Sequence, residues 1–458
     1  VFAWTGIGKR KGTVDLEKIE FNTEMEGLCE FIDGSPDPFH TVENVKHSLR
    51  KNGFAEIFEK DDFKIERGKN YFLSRNGSSL IAFKIPKARA EGYNIFCCHS
   101  DSPTFKIKEN PERVCEGAYT TLNVEFYGGG VVYRWFDRPL SISGRVFVKS
   151  EDGVKARLVN FRRDMLCIPS LAPHMMSAGE AYEKVKVQKE LCPLASLDKD
   201  FCLNGILADA LFAKREDILS YDLFIYPTEK AKVWGQKDEF FSAPRIDDLL
   251  CVYTGLRGFL QSENDSRISL YTLFDNEEVG SSSRQGALSD FLILTLKRIN
   301  SALGFDENQL YRDLSKSFAL SADNGHALHP NYTEKADPTN RPVMGGGVLL
   351  KYSANQKYTT DGLSAAVFKT ILEQNGVPFQ VFTNHSDVAG GCTLGNLSTR
   401  QVSLCTADIG AAQFAMHSPV ETCSSKDALS LILAAKAFYS SAAEIEPDGS
   451  FSVKQTVS

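Results

Sequence analysis

Hydrophobic residues recur along this chain with two different periods. Helical spacing begins at Thr41, where apolar residues follow at i, i+3 and i+7 and Gly53 marks the end, so a helix is predicted from Thr41. The preceding residues 35–40 contain two prolines, which predicts a turn. Three further helices are predicted, from Asp247 to about residue 260, over 363–374 and over 426–443.

Short apolar runs alternate with these helices. The predicted strands are 95–98, 269–274, 318–322, 377–382 and 402–406. Strands that are apolar on both sides are typical of a sheet that is covered on both faces. The pattern therefore predicts an α/β fold in which a mixed sheet has helices on both faces.

The pattern changes between about residues 104 and 237. Short β-rich pieces separated by turn residues are predicted there as strands, at 124–127, 131–135, 141–148 and 156–161. The predicted organisation is one α/β domain made of residues 1–103 and 238–458, interrupted by a β-rich insertion of residues 104–237. These boundaries are placed to within roughly ten residues.

Composition excludes several classes of protein. The 458 residues include 52 Lys and Arg against 59 Asp and Glu, for a net charge of −7. This balance argues against sequence-independent nucleic-acid binding, which needs concentrated basic residues. No apolar run reaches the ~18 residues of a membrane span, and no signal peptide is expected from the first residues.

Cysteine usage favours a reducing compartment. The count of 11 is odd and there is no CxxC pair, so we expect a cytoplasmic protein rather than a disulfide framework. Any metal site is then expected to consist of histidine and carboxylate ligands.

Such residues follow three of the predicted strands. His99 and Asp101 follow the first strand, the acidic segment 275–278 follows the second, and Asp323 follows the third. Because the carboxyl ends of strands in an open α/β sheet meet at one crevice, these side chains are expected to converge. Imidazole and carboxylate ligands suit Zn, Mn or Co, with Asp101 placed to orient His99. Taken alone, a His-x-Asp pair is more often only a polar strand end.

The adjacent Glu277 and Glu278 give a sharper signal. Two neighbouring carboxylates repel each other unless a cation lies beside them. One glutamate that binds a metal next to one that acts as general base satisfies this requirement. The alternative is a solvated turn that carries two acids. For Asp247 or Asp248 the alternative is helix capping, and for His417 it is a histidine packed in the core.

A set of segments, in order along nearly the whole chain, resembles the family of aspartyl aminopeptidase and vacuolar aminopeptidase I. The segments are HSDSP at 99–103, PRIDDL at 244–249, DNEEVGS at 275–281, SADNGHALHPNY at 321–332 and AMHS at 415–418, with SPDPFH at 35–40, IPSLAPH at 168–174 and SDVAGGCTLG at 386–395. The resemblance implies a zinc-exopeptidase-like fold, a dinuclear zinc aminopeptidase, and a dimerisation domain in the insertion. It also implies homo-oligomers, specifically tetrahedral dodecamers built from dimers.

The same resemblance implies a role for individual residues. Asp247 would bridge two Zn²⁺ ions, for which Mn²⁺ or Co²⁺ could substitute, and the peptide bond after it would be cis. His99 and Asp323 would be ligands of one ion, and Glu278 and His417 ligands of the other. Glu277 would be the general base, and Asp101 would orient His99. Substrate contacts would come from His326, Lys351 and Tyr358, and His174 would contact the active site of a neighbouring subunit.

The leading hypothesis is therefore an aminopeptidase that removes acidic residues, Asp or Glu, from the amino end of peptides, with Lys351 setting that preference. The close alternative is the same chemistry with an apolar, Leu-type preference. Two further classes stay open: a dinuclear metallohydrolase that acts on another bond, and a non-catalytic scaffold. The intact set of predicted ligands argues against the scaffold.

Overall fold

A computed structural model describes residues 11–176, 185–388, 390–391 and 393–456. Residues 1–10, together with Ala389 and Cys392 of the 386–395 segment, lie outside this description. The helices are α1 (Lys11–Gly34), α2 (Pro38–Lys51), α3 (Val187–Glu190), α4 (Leu203–Leu211), α5 (Ile246–Gln261), α6 (Phe291–Ala302), α7 (Glu307–Ser315), α8 (Gly362–Gln374), α9 (Leu394–Ser398) and α10 (Ser425–Tyr439). Within the described part of the chain, none of these helices has the length and apolarity needed to cross a membrane.

A mixed sheet of nine strands organises the first and last parts of the chain. Its strands are β1 (Ala55–Glu56), β2 (Asn70–Arg75), β3 (Ser79–Lys84), β4 (Tyr93–His99), β13 (Ile268–Phe274), β14 (Phe318–Ala322), β16 (Val348–Tyr352), β17 (Phe379–Thr383) and β18 (Cys405–Gly410). The spatial order is β1-β2-β3-β13-β4-β14-β18-β16-β17. The central strands β13, β4, β14 and β18 are mutually parallel, so their carboxyl ends lie at one edge.

Both faces of this sheet are buried, because alternate side chains of a strand point to opposite faces. In β4, Phe96 and Cys98 belong to the hydrophobic core that helices α1, α2, α5, α8 and α10 share. Ile95 and Cys97 belong to a second core, on the side of α6, α7 and α9. The observed fold is thus the predicted mixed sheet with helices on both faces.

A second sheet, of six strands, is formed between residues 104 and 227. Its strands are β5 (Thr104–Cys115), β6 (Tyr119–Tyr127), β7 (Leu140–Ser150), β8 (Gly153–Asn160), β9 (Leu194–Ser196) and β10 (Ile218–Pro227). The order is β8-β7-β10-β5-β6-β9. This sheet has its own hydrophobic core, in which the buried Trp135 packs edge-on against Phe105.

Two smaller sheets complete the fold. Their strands are β11 (Lys232–Trp234), β12 (Phe240–Ala243), β15 (Gly325–His326), β19 (Ala412–Phe414), β20 (Glu421–Ser424), β21 (Ser441–Ile445) and β22 (Phe451–Gln455). Five of these strands pair in the order β11-β12-β20-β19-β15, and β21 pairs with β22. The five-stranded sheet lies beside the carboxyl ends of the central strands, because β15 follows β14 and β19 follows β18 directly.

Several element predictions differ from the structure, among them the strand predicted at 402–406, which is β18 at Cys405–Gly410. Helix α2 begins at Pro38 rather than Thr41, because Asp37 caps it by accepting the backbone N–H groups of Phe39 and His40. The predicted strand at 131–135 is a 3₁₀ turn, which brings Trp135 into the core of the second sheet. The last helix ends at Tyr439 rather than residue 443, because the following residues pair as β21 with β22.

Candidate metal centre

The carboxyl edge of the central parallel strands gathers acidic and imidazole side chains from distant parts of the sequence. His99 is the last residue of β4 and lies opposite Phe274, the last residue of β13. Asp323 follows β14. Asp247 enters from the first turn of α5, where the Asp247–Asp248 peptide is cis, and His417 enters from the loop between β19 and β20.

The possible ligand atoms form overlapping groups. His99, Asp247, Asp248 and Asp323 form one group, Asp247, Glu278 and His417 a second, and His99, Glu277 and Glu278 a third. Asp247 belongs to the first two groups through different oxygens. Its Oδ1 is 3.5 Å from His99 Nε2, and its Oδ2 is 3.2 Å from His417 Nε2.

The chemistry of this donor set fits divalent cations. Asp247 Oδ1, Asp248 Oδ1 and Glu278 Oε1 are buried and have no hydrogen-bond partner among the described residues. A buried carboxylate oxygen without a partner is costly, and a bound cation removes that cost. Histidine and carboxylate ligands without thiolate are those that zinc accepts in catalytic sites.

The electrostatics of the cluster lead to the same conclusion. Burial, followed by the nearby charge of Asp247, raises the pKa of Glu278 well above its usual range. Burial also raises the pKa of Asp323 to about 6. For Asp247 burial acts in the same direction, but the neighbouring imidazoles of His417 and His99 outweigh it and lower the pKa. Carboxylates this crowded favour a state in which extra positive charge is bound between them.

Asp101 contacts both sides of the cluster. His99 Nδ1 lies 3.0 Å from the backbone oxygen of Asp101 and 3.4 Å from its carboxylate Oδ1. The carboxylate accepts the backbone N–H groups of Glu277 and Glu278, each at 3.1 Å. Asp101 therefore contacts His99, more closely through its backbone oxygen than through its carboxylate, and the carboxylate also fixes the turn that carries both glutamates.

Glu277 and Glu278 lie in a 3₁₀ turn, Glu277–Val279, directly after β13. Asn276 precedes them in a left-handed conformation, with φ of 61°, which turns the chain back over the edge of the sheet. Burial raises the pKa of Glu277 to about 8, and a cation beside it would lower that value. Glu277 is partly buried and lies near His99 without contributing to the Asp247–Glu278–His417 group.

Lys351 does not reach an opening, in contrast to the pocket cation that the sequence suggested. Its side chain is 0% exposed, and its Nζ donates to the backbone oxygens of Asp323 at 2.6 Å and Asn324 at 3.3 Å. The same Nζ lies 5.1 Å from the ring centre of Tyr358, which is also buried. Two of its three donors are thus occupied by the segment that carries a predicted ligand.

The other two predicted substrate contacts, His326 and His174, are both exposed. His326 is exposed in β15 and lines a cavity of about 300 Å³. Basic side chains of Lys335, His329 and His385 also line it, and Phe382 and Phe414 form apolar walls. His174 is exposed in a 3₁₀ turn, Pro173–Met175, in the part of the chain that contains the second sheet.

Sequence reasoning missed Glu421. This glutamate of β20 is buried, and its Oε2 accepts the backbone N–H of Asp247 at 2.9 Å while its Oε1 accepts that of His417 at 2.6 Å. One carboxylate thus holds two of the segments that carry predicted ligands. The spacing of four residues from His417 was the only available signal, and alone it would indicate nothing.

Comparisons with known proteins identify the family of the chain. Residues 31–439 match the family described as aminopeptidase I zinc metalloprotease (M18). The chain is 40% identical over 421 residues to a probable M18 family aminopeptidase 2 of Clostridium acetobutylicum, which covers 90% of this chain and 97% of that protein.

Solved structures share the fold. A chain in the cryo-EM structure of the Ape4 and Nbr1 complex superposes with a TM-score of 0.88 at 33% identity, over 92% of this chain and 86% of that chain. The S. cerevisiae mApe1 dodecamer superposes with a TM-score of 0.81 at 26% identity, over 91% of this chain and 97% of that chain. The resemblance inferred from the motifs is confirmed, and the chain belongs to the M18 family of zinc metalloproteases, which makes it an aminopeptidase.

Proposed function

We propose that the chain removes the first residue of peptides at a dinuclear zinc centre in which Asp247 bridges the two ions. The observation that carries this proposal is that the two oxygens of Asp247 face two different histidines, His99 and His417. Asp323 joins His99 around one ion and Glu278 joins His417 around the other. Mn²⁺ or Co²⁺ could occupy the same ligands, since both accept imidazole and carboxylate.

The side chains then divide the reaction between them. Zinc, when bound, supplies a Lewis acid that acidifies water and polarises the scissile carbonyl. Glu277 accepts a proton from the attacking water and returns one to the leaving amine. Asp101 contacts Nδ1 of His99, which leaves Nε2 free to act as a ligand. Asp101 also fixes the turn that contains Glu277.

For the specificity we propose an acidic residue, Asp or Glu, at the amino end of the substrate. The support is the cavity beside His326, which Lys335 and two further histidines line together with one acidic residue, Asp337. Its walls of Phe382 and Phe414 favour the second candidate, a preference for an apolar residue such as Leu. Because Lys351 is buried against backbone oxygens, the acidic preference rests on this cavity rather than on Lys351.

For the assembly we propose a dodecamer built from dimers, in which the residues 104–237 form the dimerisation domain. Large apolar side chains are exposed in this segment, among them Leu197 at 77% and Phe212 at 95%. The S. cerevisiae mApe1 structure, a dodecamer, provides the precedent. His174 would then contact the active site of a neighbouring subunit.

Metal stoichiometry tests the dinuclear proposal. Elemental analysis of the purified protein should give two ions per chain, with both lost or weakened in Asp247→Ala and mainly one lost in His417→Ala. If Asp247→Ala retains two ions at wild-type affinity, Asp247 does not bridge them. Activity on Asp-, Glu- and Leu-arylamides, with a phosphate ester as control, tests the reaction and its specificity together.

The assembly is tested separately. Sedimentation should give a mass near that of twelve chains, and His174→Ala should lower activity while the mass and the metal content stay the same. Full activity in a stable monomer would refute the role assigned to the neighbouring subunit.

A further inference from the structure

One short segment of the second sheet, residues 127–131, contacts the metal centre and begins with the last residue of β6. Tyr127 ends β6, and the glycines at 128–130 lead into the turn that begins at Val132. Three consecutive contacts connect this segment to residues that hold or flank the predicted ligands.

The first contact is made by the Tyr127 hydroxyl. It donates to Asp101 Oδ2 at 2.7 Å and accepts from Asn276 Nδ2 at 2.8 Å. Asp101 in turn accepts the backbone N–H groups of Glu277 and Glu278. The ring of Tyr127 packs edge-on against Phe224 of β10, so the second sheet fixes the position of the hydroxyl.

The second contact is made by Gly128, which packs against Glu278. Its φ is +78°, and a Cβ built on it would lie 3.0 Å from Glu278 Cβ and 3.4 Å from Glu278 O. Only glycine allows this backbone conformation and this close approach at the same time.

The third contact reaches the loop that carries His417. The backbone N–H of Val131 donates to the backbone oxygen of His417 at 3.2 Å. Glu278 and His417 are the two residues that we assign to the second ion together with Asp247. The same five-residue segment therefore touches the backbone or side chain of both.

From these contacts we infer that residues 127–131 act as a brace by which the second sheet positions the ligands of one metal ion. Tyr127 and Gly128 are positioning residues rather than catalytic ones. The inference rests on the proposed dinuclear centre and deepens it. It states that zinc binding by Glu278 and His417 depends on a segment outside the nine-stranded sheet. Changes in partners of metal ligands typically weaken affinity by about ten- to a hundredfold.

Titration with zinc against a competing chelator tests the brace in the full-length protein. Tyr127→Phe removes only the hydroxyl, and we expect the affinity of at least one of the two zinc equivalents to fall by about tenfold or more, because Asp101 contacts both His99 and the turn that carries Glu278. Tyr221→Phe is the matched control, because Tyr221 is a buried tyrosine of the same sheet whose hydroxyl donates to the backbone oxygen of Lys108. In Tyr127→Phe, kcat measured at limiting zinc should fall while KM stays near the wild-type value.

A pair of glycine variants provides an independent measurement. Gly128→Ala introduces a methyl group against Glu278, whereas Gly117→Ala, at the other end of β6, has a similar φ of +68° and no atom within 4 Å of the added Cβ among the described residues. Both variants strain the backbone, but only Gly128→Ala should weaken zinc binding. Should Gly128→Ala fail to fold, Tyr127→Phe still decides the question.

The outcomes are distinguishable. Two zinc equivalents of wild-type affinity in Tyr127→Phe would overturn the brace while leaving the dinuclear centre intact. Equal loss in Tyr127→Phe and Tyr221→Phe would also overturn it, since the effect would then be one of general stability. A wild-type protein that binds only one ion would overturn the proposed dinuclear centre and the brace with it.

Discussion

Replacing Glu421 by glutamine tests how strongly the positions of the ligands Asp247 and His417 depend on their hydrogen bonds to Glu421. Glu421 accepts one backbone N–H with each of its two oxygens, that of Asp247 with Oε2 and that of His417 with Oε1. Glutamine has the same shape but only one oxygen, so its NH₂ group must face one of these two donors. Glu421→Gln therefore loses one hydrogen bond without creating a cavity.

The expected magnitude follows from the type of bond that is lost. At pH 8.5, above the pKa of about 8 that burial gives Glu421, the lost bond is one to a charged group and contributes about 1.5–3 kcal/mol. If losing this bond displaces Asp247 or His417, the same free energy is lost from zinc binding, and zinc affinity falls by about ten- to a hundredfold. The second ion should be affected most, because both of the displaced segments contribute to it in the proposed centre.

Asp427→Asn is the matched control for this experiment. Asp427 is also buried and also accepts two backbone N–H groups with separate oxygens, those of Gly345 at 2.7 Å and Gly347 at 2.8 Å. These glycines precede β16 and carry none of the predicted ligands. Both variants should lower the free energy of unfolding by a similar amount, measured by urea denaturation of the metal-free proteins.

Chelator competition distinguishes the two variants. Only Glu421→Gln should release zinc more readily, whereas Asp427→Asn should bind two equivalents as the wild type does. If both variants retain wild-type zinc affinity, or if both lose it equally, Glu421 has no specific role in holding the ligands.

Three further predictions follow from the site. Glu277→Gln should retain two zinc ions and lose at least ~10²-fold in kcat, because the ligands stay while the proton acceptor is removed; loss of the metal would show that the two glutamates were assigned wrongly. Lys351→Met should lower the free energy of unfolding by about 3–5 kcal/mol, because Asp323 loses its buried partner. For the same reason, activity on Asp- and Leu-arylamides should fall by the same factor. A loss of activity confined to acidic substrates would instead show that Lys351 sets the specificity. In the metal-free protein, burial raises the pKa of Asp323 to about 6 and of Glu421 to about 8, so the stability present at low pH is lost as pH rises through this range. The thermal midpoint should then be lower at pH 8.5 than at pH 5.5, and zinc should raise it more at pH 8.5; a midpoint that does not change with pH would contradict the burial of these carboxylates.

Local sequence patterns were sufficient to predict individual strands and the polar residues that follow them. The apolar runs of β4, β13 and β14 were visible, and the rule that parallel strands end at one edge predicted that His99, Glu278 and Asp323 converge. The 3₁₀ turn that contains Trp135 was mistaken for a strand, because its apolar residues carry no information about which core they enter.

Features that depend on long-range pairing could not be predicted. Lys351 follows an apolar run that could equally end at a cleft or in the interior, and only the pairing of β16 with β18 places it beside Asp323. Glu421 acquires its function from the strand order of the five-stranded sheet, in which β20 lies between β12 and β19. Neither placement has a local signature, since both residues are single polar positions in β-rich sequence.

The position of β4 in the middle of the nine-stranded sheet has a consequence for synthesis of the protein. Its neighbour β13 begins 175 residues later in the chain, and its other neighbour β14 later still. At the usual ribosomal rate of about 5–20 residues per second, β13 is synthesised roughly 9–35 s after β4. During this interval β4 has apolar side chains on both sides and no neighbouring strand of its sheet. The six-stranded sheet is encoded entirely within that interval and can pair first. A nascent chain stalled before β13 should therefore expose β4 to chaperones and to aggregation, and the second zinc ion should bind only after His417 has been made.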